Sequence, residues 1–323
     1  MTSQNGKTPA QSRQNYNRFT LKMAWNLAAA HTWPAAILPV ALAVAAASAT
    51  SGGVSVPLAC VLLLICILMQ SSVNTFNDYY DYVKGSDSAD DDVDPSDAVL
   101  VYNNVNPKAA LASAVALLVL AFVLGAYVIY RTGPIPLIIG IVGAVFVVAY
   151  SAGKTPISYL PIGEFVSGFV MGGLIPLACY FVLAGQLTVL ALVWAIPMII
   201  GIGLIMMTNN TCDIEKDIEA KRHTLPVLLG RDNARAAYHG AVIVWLLAIV
   251  FNLAVFFRGG LIVVPFMLLS AYPLVKVLFA NPLSPKSRVA GMGQICSVNI
   301  ALGAWYIAGI FASQTTLLLS LFL

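Results

Sequence analysis

Nine long apolar segments constrain this chain more than any other feature of its sequence. They lie near residues 24–48, 54–77, 109–130, 134–150, 162–183, 187–210, 237–257, 260–280 and 292–313. Each has roughly the 17–25 residues that an α-helix needs to cross a bilayer. A spanning segment must satisfy its own backbone N–H and C=O groups, which an α-helix does. The sequence therefore predicts an all-α, polytopic membrane protein, a bundle of about nine transmembrane helices.

The charged residues are few, and they indicate the partners and domains to expect. They make up 10% of the chain, and the net charge is +3, whereas a soluble domain has about 25% charged residues. So small a net charge gives no indication of nucleic acid as a partner, and the lipid bilayer is the expected one. We expect residues 1–23 to form a cytoplasmic N-terminal tail and residues 24–323 to form one membrane domain. Nothing in the sequence indicates the oligomeric state.

The positions of the basic residues predict the orientation of the chain. If the N-terminus is cytoplasmic, 15 of the 17 Lys and Arg residues fall in cytoplasmic segments, and Arg131 and Arg258 are the exceptions. Cytoplasmic segments of membrane proteins carry such an excess. We therefore expect a multi-pass protein of the cell inner (cytoplasmic) membrane, with the N-terminus inside and the C-terminus outside.

Two of these cytoplasmic segments hold 13 of the 14 acidic residues, after the second and the sixth apolar segment. In the first, Asp78 and Asp81 are three residues apart and Asp87 follows. In the second, Asp213 and Asp217 are four residues apart. Side chains three or four residues apart share one face of a helix. Each segment is therefore expected to present a pair of carboxylates.

An asparagine stands four residues before the first aspartate of each pair, at Asn74 and at Asn209. Two facing carboxylate pairs repel each other unless a cation lies between them. Mg²⁺ takes oxygen ligands and is typically held by one or two carboxylates plus substrate phosphates. The paired motifs therefore predict a site for Mg²⁺ and a substrate diphosphate.

Four longer stretches resemble the UbiA superfamily of intramembrane prenyltransferases. NDYYDYVKGSD and NNTCDIEKDIEAKRHTLPVLLGR are similar to its two aspartate-rich motifs. YSAGKTPISYLPIGE and HTWPAAILPV are similar to segments of its menaquinone branch, the 1,4-dihydroxy-2-naphthoate polyprenyltransferases. The resemblance covers nearly the whole chain, and it implies a UbiA-like helical bundle and a Mg²⁺-dependent enzyme.

The resemblance also implies a reaction, which is transfer of a polyprenyl group from an allylic prenyl diphosphate to an aromatic quinone precursor. In the menaquinone branch the acceptor is 1,4-dihydroxy-2-naphthoate, and the product is demethylmenaquinol, formed with loss of CO₂. Two basic residues usual in this branch are absent here, near Ala28–Ala30 and near Asp94–Asp97. Their absence leaves another aromatic acceptor, such as 4-hydroxybenzoate, as an alternative.

The resemblance implies a role for each motif residue. The expected catalytic residues are Asp78, Asp81, Asp213 and Asp217. The expected metal ligands are these four and Asp87. The expected diphosphate-binding residues are Asn74, Asn77, Lys84, Lys154, Asn209, Asn210, Lys221 and Arg222. Residues that would contact the acceptor or shield an allylic cation with an aromatic face are His31, Tyr150 and Tyr159.

Glu164 is the one acidic residue outside the two acidic segments. An acid within or beside a membrane span is a functional candidate, and pairing with Lys154 is the alternative. A cation-coupled transporter is the rival function, because transporters also contain repeats and few intramembrane acids. Their binding sites lie near the middle of the membrane, whereas the aspartate pairs here lie at helix ends. This position favours an enzyme.

Overall fold

The computed structural model describes residues 16–84, 99–151 and 155–322. Within these ranges the regular structure is helical, apart from one isolated bridge between Asn17 and Val105. The α-helices are α1 (Leu21–Leu27), α2 (Pro34–Ser51), α3 (Val56–Lys84), α4 (Val99–Asn103), α5 (Pro107–Thr132), α6 (Ile135–Ser151), α7 (Gly163–Phe169), α8 (Ile175–Ala184), α9 (Leu190–Cys212), α10 (Ile214–Glu219), α11 (Leu225–Leu229), α12 (Arg231–Phe256), α13 (Val264–Ala280) and α14 (Arg288–Phe322). Short 3₁₀ turns lie at Ala30–Thr32, Ile157–Tyr159, Arg258–Val263 and Pro285–Ser287, and a π-helical stretch at Val170–Leu174 joins α7 to α8.

Eight helical segments in these ranges are long and apolar enough to cross a membrane. They are Pro34–Ser51, Val56–Tyr80, Pro107–Thr132, Gly163–Ala184, Leu190–Cys212, Arg231–Phe256, Arg258–Ala280 and Pro285–Gln314. The remaining predicted segment, near residues 134–150, forms α6, an apolar helix of 17 residues. At 1.5 Å per residue such a helix is about 26 Å long, slightly less than the roughly 30 Å of a bilayer core. The prediction of an all-α, polytopic membrane protein is confirmed.

The chain divides into two compact units. The first contains the residues up to Ala30 and residues Ser71–Leu117, and the second contains His31–Gln70 and the residues from Leu118 onward. Helices α3 and α5 each run from one unit into the other. The first acidic motif belongs to the first unit and the second motif to the second unit. The expectation of one membrane domain over residues 24–323 stays a prediction.

The first unit has a small apolar core, formed by Leu27, Val99, Leu100, Val105 and Ala110. These residues come from α1, α4, the turn before α5, and α5 itself. The backbone N–H of Asn17 donates to the carbonyl of Asn104 at 3.0 Å, and its side chain donates to the carbonyl of Asn103 at 2.9 Å. The chain before α1 is thereby joined to the segment after α4.

The second unit has a larger core, in which buried polar groups are paired across helices. The Tyr306 hydroxyl on α14 donates to the Trp194 carbonyl on α9 at 2.9 Å, and Asn299 donates to the Gly201 carbonyl at 3.0 Å. Thr208 donates to the Tyr238 hydroxyl at 2.9 Å. Hydrocarbon offers polar groups no other partner, so such bonds hold helices together in membrane proteins.

Helix α7 and the π-helical stretch pack very closely on α9 through two glycines. A Cβ atom added at Gly168 would stand 2.3 Å from the Ile199 carbonyl oxygen, and one at Gly172 would stand 2.6 Å from the Ile199 backbone nitrogen. Small residues allow backbones to approach in this way in membrane helices. This approach brings the start of α7, with Glu164, beside the last turns of α9.

We expect Gly168→Ala to destabilise the protein, because its Cβ would collide with backbone that cannot move aside as a side chain can. Overpacking of this kind typically costs about 1–3 kcal/mol. Thermal unfolding of the detergent-solubilised protein should therefore give a lower Tm. The matched control is Gly143→Ala on α6, where an added Cβ meets nothing within 4 Å. Equal Tm values for the two variants would contradict the close packing of α7 on α9.

Candidate active site

The first motif lies in the last turns of α3, where the structure describes the side chains of Asn74, Asn77 and Asp78. Asn77 is exposed, whereas Asp78 is buried, with 6% of its surface exposed. The side chains of Asp81 and Lys84, and the whole of Asp87, lie outside the described part of the chain. The metal-binding roles of Asp81 and Asp87 and the diphosphate-binding role of Lys84 therefore remain predictions.

Asp78 binds the start of α4 with both oxygens of its carboxylate. Its Oδ2 accepts from the backbone N–H of Val99 at 2.8 Å, and its Oδ1 accepts from that of Leu100 at 3.2 Å. A carboxylate in this position satisfies N–H groups that have no partner within the helix. One turn earlier, Asn74 donates to the carbonyl of Ala28 at 3.0 Å. These side chains therefore join α1 and α4 to the end of α3.

The second motif lies where α9 ends and α10 begins, with Asp213 at the joint. The backbone N–H of Asp217 donates to the Asp213 carbonyl at 2.9 Å, so the two aspartates are one helical turn apart, as the sequence predicts. After α10 the chain turns back through Lys221, which has a positive φ of 56°. The N–H of Arg222 then donates to the Asp217 carbonyl at 2.8 Å.

This turn surrounds the Asp217 carboxylate with donors, and 4% of its side chain is exposed. Its Oδ2 accepts from the Thr224 hydroxyl at 3.0 Å, and its Oδ1 accepts from Arg222 at 3.3 Å. Burial raises the pKa of Asp217, although the Thr224 hydrogen bond and the Arg222 charge act against this shift. The Arg222 guanidinium also lies over the Tyr159 ring, 5.0 Å from its centroid.

Asp213 and Asn209 share a partner that the sequence analysis missed, which is Arg288 at the start of α14. The Arg288 Nε lies 3.2 Å from the Asp213 Oδ2. The same guanidinium donates twice to the Asn209 Oδ1, at 3.1 and 2.8 Å. Only the general excess of basic residues at helix ends could have pointed to Arg288, since it lies about 75 residues further along the chain.

Glu215, the acid between the two motif aspartates, points to a different partner. Both of its oxygens accept from Arg231, at 2.8 and 2.7 Å, and this hydrogen bonding holds the pKa of Glu215 below its usual range. Arg231 also donates to the carbonyls of Thr211 and Leu283. Glu215 thus joins the start of α12 to the second motif. Because its carboxylate is paired with Arg231, Asp213 and Asp217 remain the candidate metal ligands of this motif.

Asn210, Tyr150 and Glu164 come together beside the second motif. The Asn210 amide donates to the Glu164 Oε1 at 2.8 Å. A Cβ added at Gly163 would stand 3.6 Å from the Tyr150 hydroxyl oxygen, so this tyrosine lies against the start of α7. Of the other predicted residues, His31 is exposed on the turn Ala30–Thr32, Lys221 is exposed after α10, and Lys154 lies outside the described ranges.

Among the side chains that the structure describes, no group of three or more His, Cys, Asp and Glu is placed to hold a metal ion. Asp213 and Asp217 nevertheless offer hard oxygen ligands one turn apart, with arginines beside them. Mg²⁺ needs only one or two carboxylates when substrate phosphates complete its coordination. The donor chemistry of the second motif therefore fits a Mg²⁺–diphosphate complex.

The fold and these motifs define an all-helical, multi-pass membrane protein that carries paired carboxylates at the ends of two long helices. The sequence matches the UbiA prenyltransferase family over residues 36–298. The chain belongs to this family and is a prenyltransferase. The transporter interpretation is therefore not retained.

Curated relatives agree with this assignment. The chain is 32% identical over 273 residues to the 1,4-dihydroxy-2-naphthoate octaprenyltransferase of Bacillus subtilis (strain 168), an alignment that covers 84% of this chain and 83% of the relative. It is 26% identical over 313 residues to UbiA prenyltransferase domain-containing protein 1 of Homo sapiens, covering 94% of this chain and 88% of the relative.

Solved structures confirm the fold. A UbiA homolog from Archaeoglobus fulgidus bound to DMAPP and Mg²⁺ gives a TM-score of 0.59 at 16% identity, over 88% of this chain and 99% of the homolog. The same homolog bound to GPP and Mg²⁺ gives a TM-score of 0.58 at 14% identity, over 88% and 99%. At these identities the likeness shows a UbiA-like fold.

We expect Asp78→Asn to lower the stability of the protein. The variant replaces one carboxylate oxygen with an amide NH₂, which would face a backbone N–H of α4. Hydrogen bonds to a charged acceptor contribute about 1.5–3 kcal/mol each. We therefore predict a loss of about 1–3 kcal/mol in the free energy of unfolding, measured as a lower Tm in detergent.

The matched control is Asn77→Ala, one residue earlier and exposed, which should leave the Tm unchanged. If Asp78→Asn also retained the wild-type Tm, the bonds from Asp78 to α4 would not stabilise the fold.

Proposed function

We propose that the protein transfers a polyprenyl group from an allylic prenyl diphosphate to 1,4-dihydroxy-2-naphthoate and forms demethylmenaquinol with loss of CO₂. The observation that carries this proposal is the 32% identity to the Bacillus subtilis octaprenyltransferase over 84% of the chain. The 4-hydroxybenzoate alternative is tested in the same assay below.

We propose Mg²⁺ as the cofactor, in keeping with the homolog that binds Mg²⁺ together with DMAPP or GPP. When bound, Mg²⁺ would act as a Lewis acid and stabilise the charge that develops on the leaving diphosphate. Asp213 and Asp217 would be its ligands from the second motif, and Asp78, Asp81 and Asp87 those from the first. Asp78 would also keep α4 in place, because each of its oxygens accepts a backbone hydrogen bond and still has a lone pair for the metal.

Basic side chains would bind the diphosphate. Arg222 and Lys221 follow Asp217 directly, and Arg222 is 42% exposed, so it can reach a ligand while it stays beside Asp217. Arginine binds phosphate oxygens through a planar fork of N–H donors, and lysine binds them as a point charge. Lys84, Lys154 and the asparagines of the first motif would add to this group. Tyr150 would lie against the allylic group near Glu164.

We also propose the orientation that the basic residues predict, with the N-terminus in the cytoplasm and the C-terminus outside. This orientation requires α6 to cross the bilayer as a ninth span. Both aspartate motifs would then open to the cytosol, where the charged diphosphate group would meet them while the polyprenyl chain stays in the bilayer. The orientation is tested with two variants that each carry a single cysteine, one in the loop at Gly133 and one in the loop at Asn281. A membrane-impermeant thiol reagent should label these two cysteines from opposite sides of the membrane.

We predict that membranes containing the protein convert 1,4-dihydroxy-2-naphthoate and a radiolabelled prenyl diphosphate to product only when Mg²⁺ is present. The mass of the product shows whether CO₂ is lost. A parallel assay with 4-hydroxybenzoate tests the alternative acceptor. Absence of prenylated product with every acceptor would overturn the proposed function.

In the same assay, Asp217→Ala should abolish product formation, since it removes a ligand for the metal. Glu219→Ala is the matched control, because Glu219 lies on the same helix and is exposed. It should retain wild-type activity. Equal activity of the two variants would remove Asp217 from the proposed site.

The effect of the Lys221 charge can be measured separately from the effect of its backbone conformation. Asparagine adopts a positive φ more readily than most residues, so Lys221→Asn should keep the turn and the Tm while it removes the cation. We expect the KM for the prenyl diphosphate to rise about tenfold, as loss of one charged hydrogen bond implies. Lys216→Asn, an exposed control on α10, should leave this KM unchanged. An unchanged KM in Lys221→Asn would show that Lys221 does not bind the diphosphate.

A further inference from the structure

The Tyr159 ring lies against the guanidinium of Arg222, a basic residue beside the second motif. The Arg222 Cζ stands over the ring, 5.0 Å from its centroid. A guanidinium within about 6 Å of a tyrosine centroid is attracted by the negative face of the π system. A cation of the chain itself therefore occupies a ring face that the family resemblance assigns to an allylic cation.

The backbone of Tyr159 is held on both sides of its side chain. Its N–H donates to the Pro156 carbonyl at 2.9 Å, at the end of the 3₁₀ turn Ile157–Tyr159. Its carbonyl accepts from the N–H of His223 at 2.8 Å. Because His223 follows Arg222 directly, this bond joins the turn that carries the ring to the segment that carries the guanidinium. The contact between ring and cation is thus supported by the backbone on both sides.

Few other contacts restrain the Arg222 side chain in the described part of the chain. Its Nη1 donates to the Asp217 Oδ1 at 3.3 Å, slightly longer than the usual hydrogen-bond range. Its Nε is buried and has no hydrogen-bond partner among the described residues. Fixing a long side chain such as arginine costs much conformational entropy, and one long hydrogen bond offsets little of that cost. The ring therefore supplies the surface that keeps the guanidinium beside Asp217.

The guanidinium still has donors for a ligand. The Arg222 side chain is 42% exposed, whereas that of Asp217 is 4% exposed. Arginine has five N–H donors, and the attraction of a ring uses none of the acceptors that a diphosphate would bring. Because arginine binds phosphate oxygens through a planar fork, a fork that is already oriented loses less freedom when the ligand binds.

The contribution of Tyr159 comes from its ring. Within the described ranges its hydroxyl group makes no hydrogen bond. A variant that keeps the ring and lacks the hydroxyl should therefore preserve the contact with Arg222.

We propose that Tyr159 is a positioning residue that holds Arg222 in place for the substrate diphosphate, and that it is not a shield for the allylic cation. This inference rests on the proposed function, which places Arg222 at the diphosphate. Since the ring acts through the guanidinium, its contribution should disappear when the guanidinium is removed.

The test measures binding of inorganic pyrophosphate with Mg²⁺ to the protein in lipid nanodiscs. This probe has no allylic group, so shielding of a carbocation cannot contribute to its binding. Tyr159→Leu removes the ring and should weaken binding about fivefold, the effect of one cation–π contact at a partly exposed site. Tyr159→Phe keeps the ring and should bind as the wild type does. Tyr130→Leu, the same change at an 86% exposed tyrosine on α5, is the matched control and should also bind as the wild type does.

A double-mutant cycle shows whether the ring acts through Arg222. Arg222→Gln removes the cation and keeps an amide NH₂ group, and pyrophosphate should still bind this variant through Mg²⁺ and Lys221. In this background Tyr159→Leu should cause no further loss, because the contact that it removes is already absent. Residues that act on each other are non-additive in this way, whereas independent residues add. A purely structural role of Tyr159 would weaken binding equally in both backgrounds, and this result would overturn the inference.

Kinetics provide the second measurement. Tyr159→Leu should raise the KM for the prenyl diphosphate about fivefold and leave the KM for 1,4-dihydroxy-2-naphthoate unchanged. Loss of a carbocation shield would instead lower kcat and leave pyrophosphate binding unchanged, because a shield acts only when the C–O bond breaks. That pattern, or an equal loss of affinity in Tyr159→Phe and Tyr159→Leu, would overturn the inference.

The outcomes separate this inference from the proposed function. If the pyrophosphate results are as expected but no acceptor yields product, the proposed function fails and the role of Tyr159 stands. If product forms but Tyr159→Leu retains its pyrophosphate affinity, the inference fails and the proposed function stands. If Arg222→Gln binds pyrophosphate as tightly as the wild type, or the wild type does not bind it with Mg²⁺, Arg222 does not hold the diphosphate and the inference fails.

Discussion

The cost of placing charge in a bilayer is the constraint on which the rest of this structure depends. Ionised side chains are expensive within the hydrocarbon core, so the chain keeps 13 of its 14 acids in two segments at helix ends. A carboxylate that is partly buried at a helix end still needs a hydrogen-bond donor or a cation beside it. In the described ranges Asp78 finds it in backbone N–H groups, Asp213 in Arg288, and Asp217 in Arg222 and Thr224.

These contacts give the acidic residues different tasks, although they look alike in sequence. Asp78 and Glu215 hold neighbouring helices in place through α4 and Arg231. Asp213 and Asp217 each pair with an arginine, Arg288 and Arg222 respectively. Glu164 accepts from Asn210 with one oxygen, and its other oxygen is buried without a hydrogen-bond partner in the described ranges. These differences come from the partners of the carboxylates, not from their spacing.

Much of the fold was predictable because helix formation in a membrane follows from length and hydropathy. Eight of the nine predicted spans correspond to helices long enough to cross, and the remaining segment forms α6. The one-turn spacing of Asp213 and Asp217 was predictable from helical periodicity. The parallel between Asn74 and Asn209 was misleading about contacts, since Asn74 donates to a carbonyl and Asn209 accepts from Arg288. Spacing determines which side chains share a face, but not what faces them.

By itself the sequence determined an all-helical membrane protein, its family, and the two segments that carry its carboxylates, because apolar length and short motifs are local properties of the chain. Only the tertiary structure decided which partner each described carboxylate has. Arg288 reaches Asp213 from about 75 residues away, and Asn210 reaches Glu164 because glycines let α7 approach α9. Such pairings depend on how distant helices pack, and no local pattern of residues encodes them.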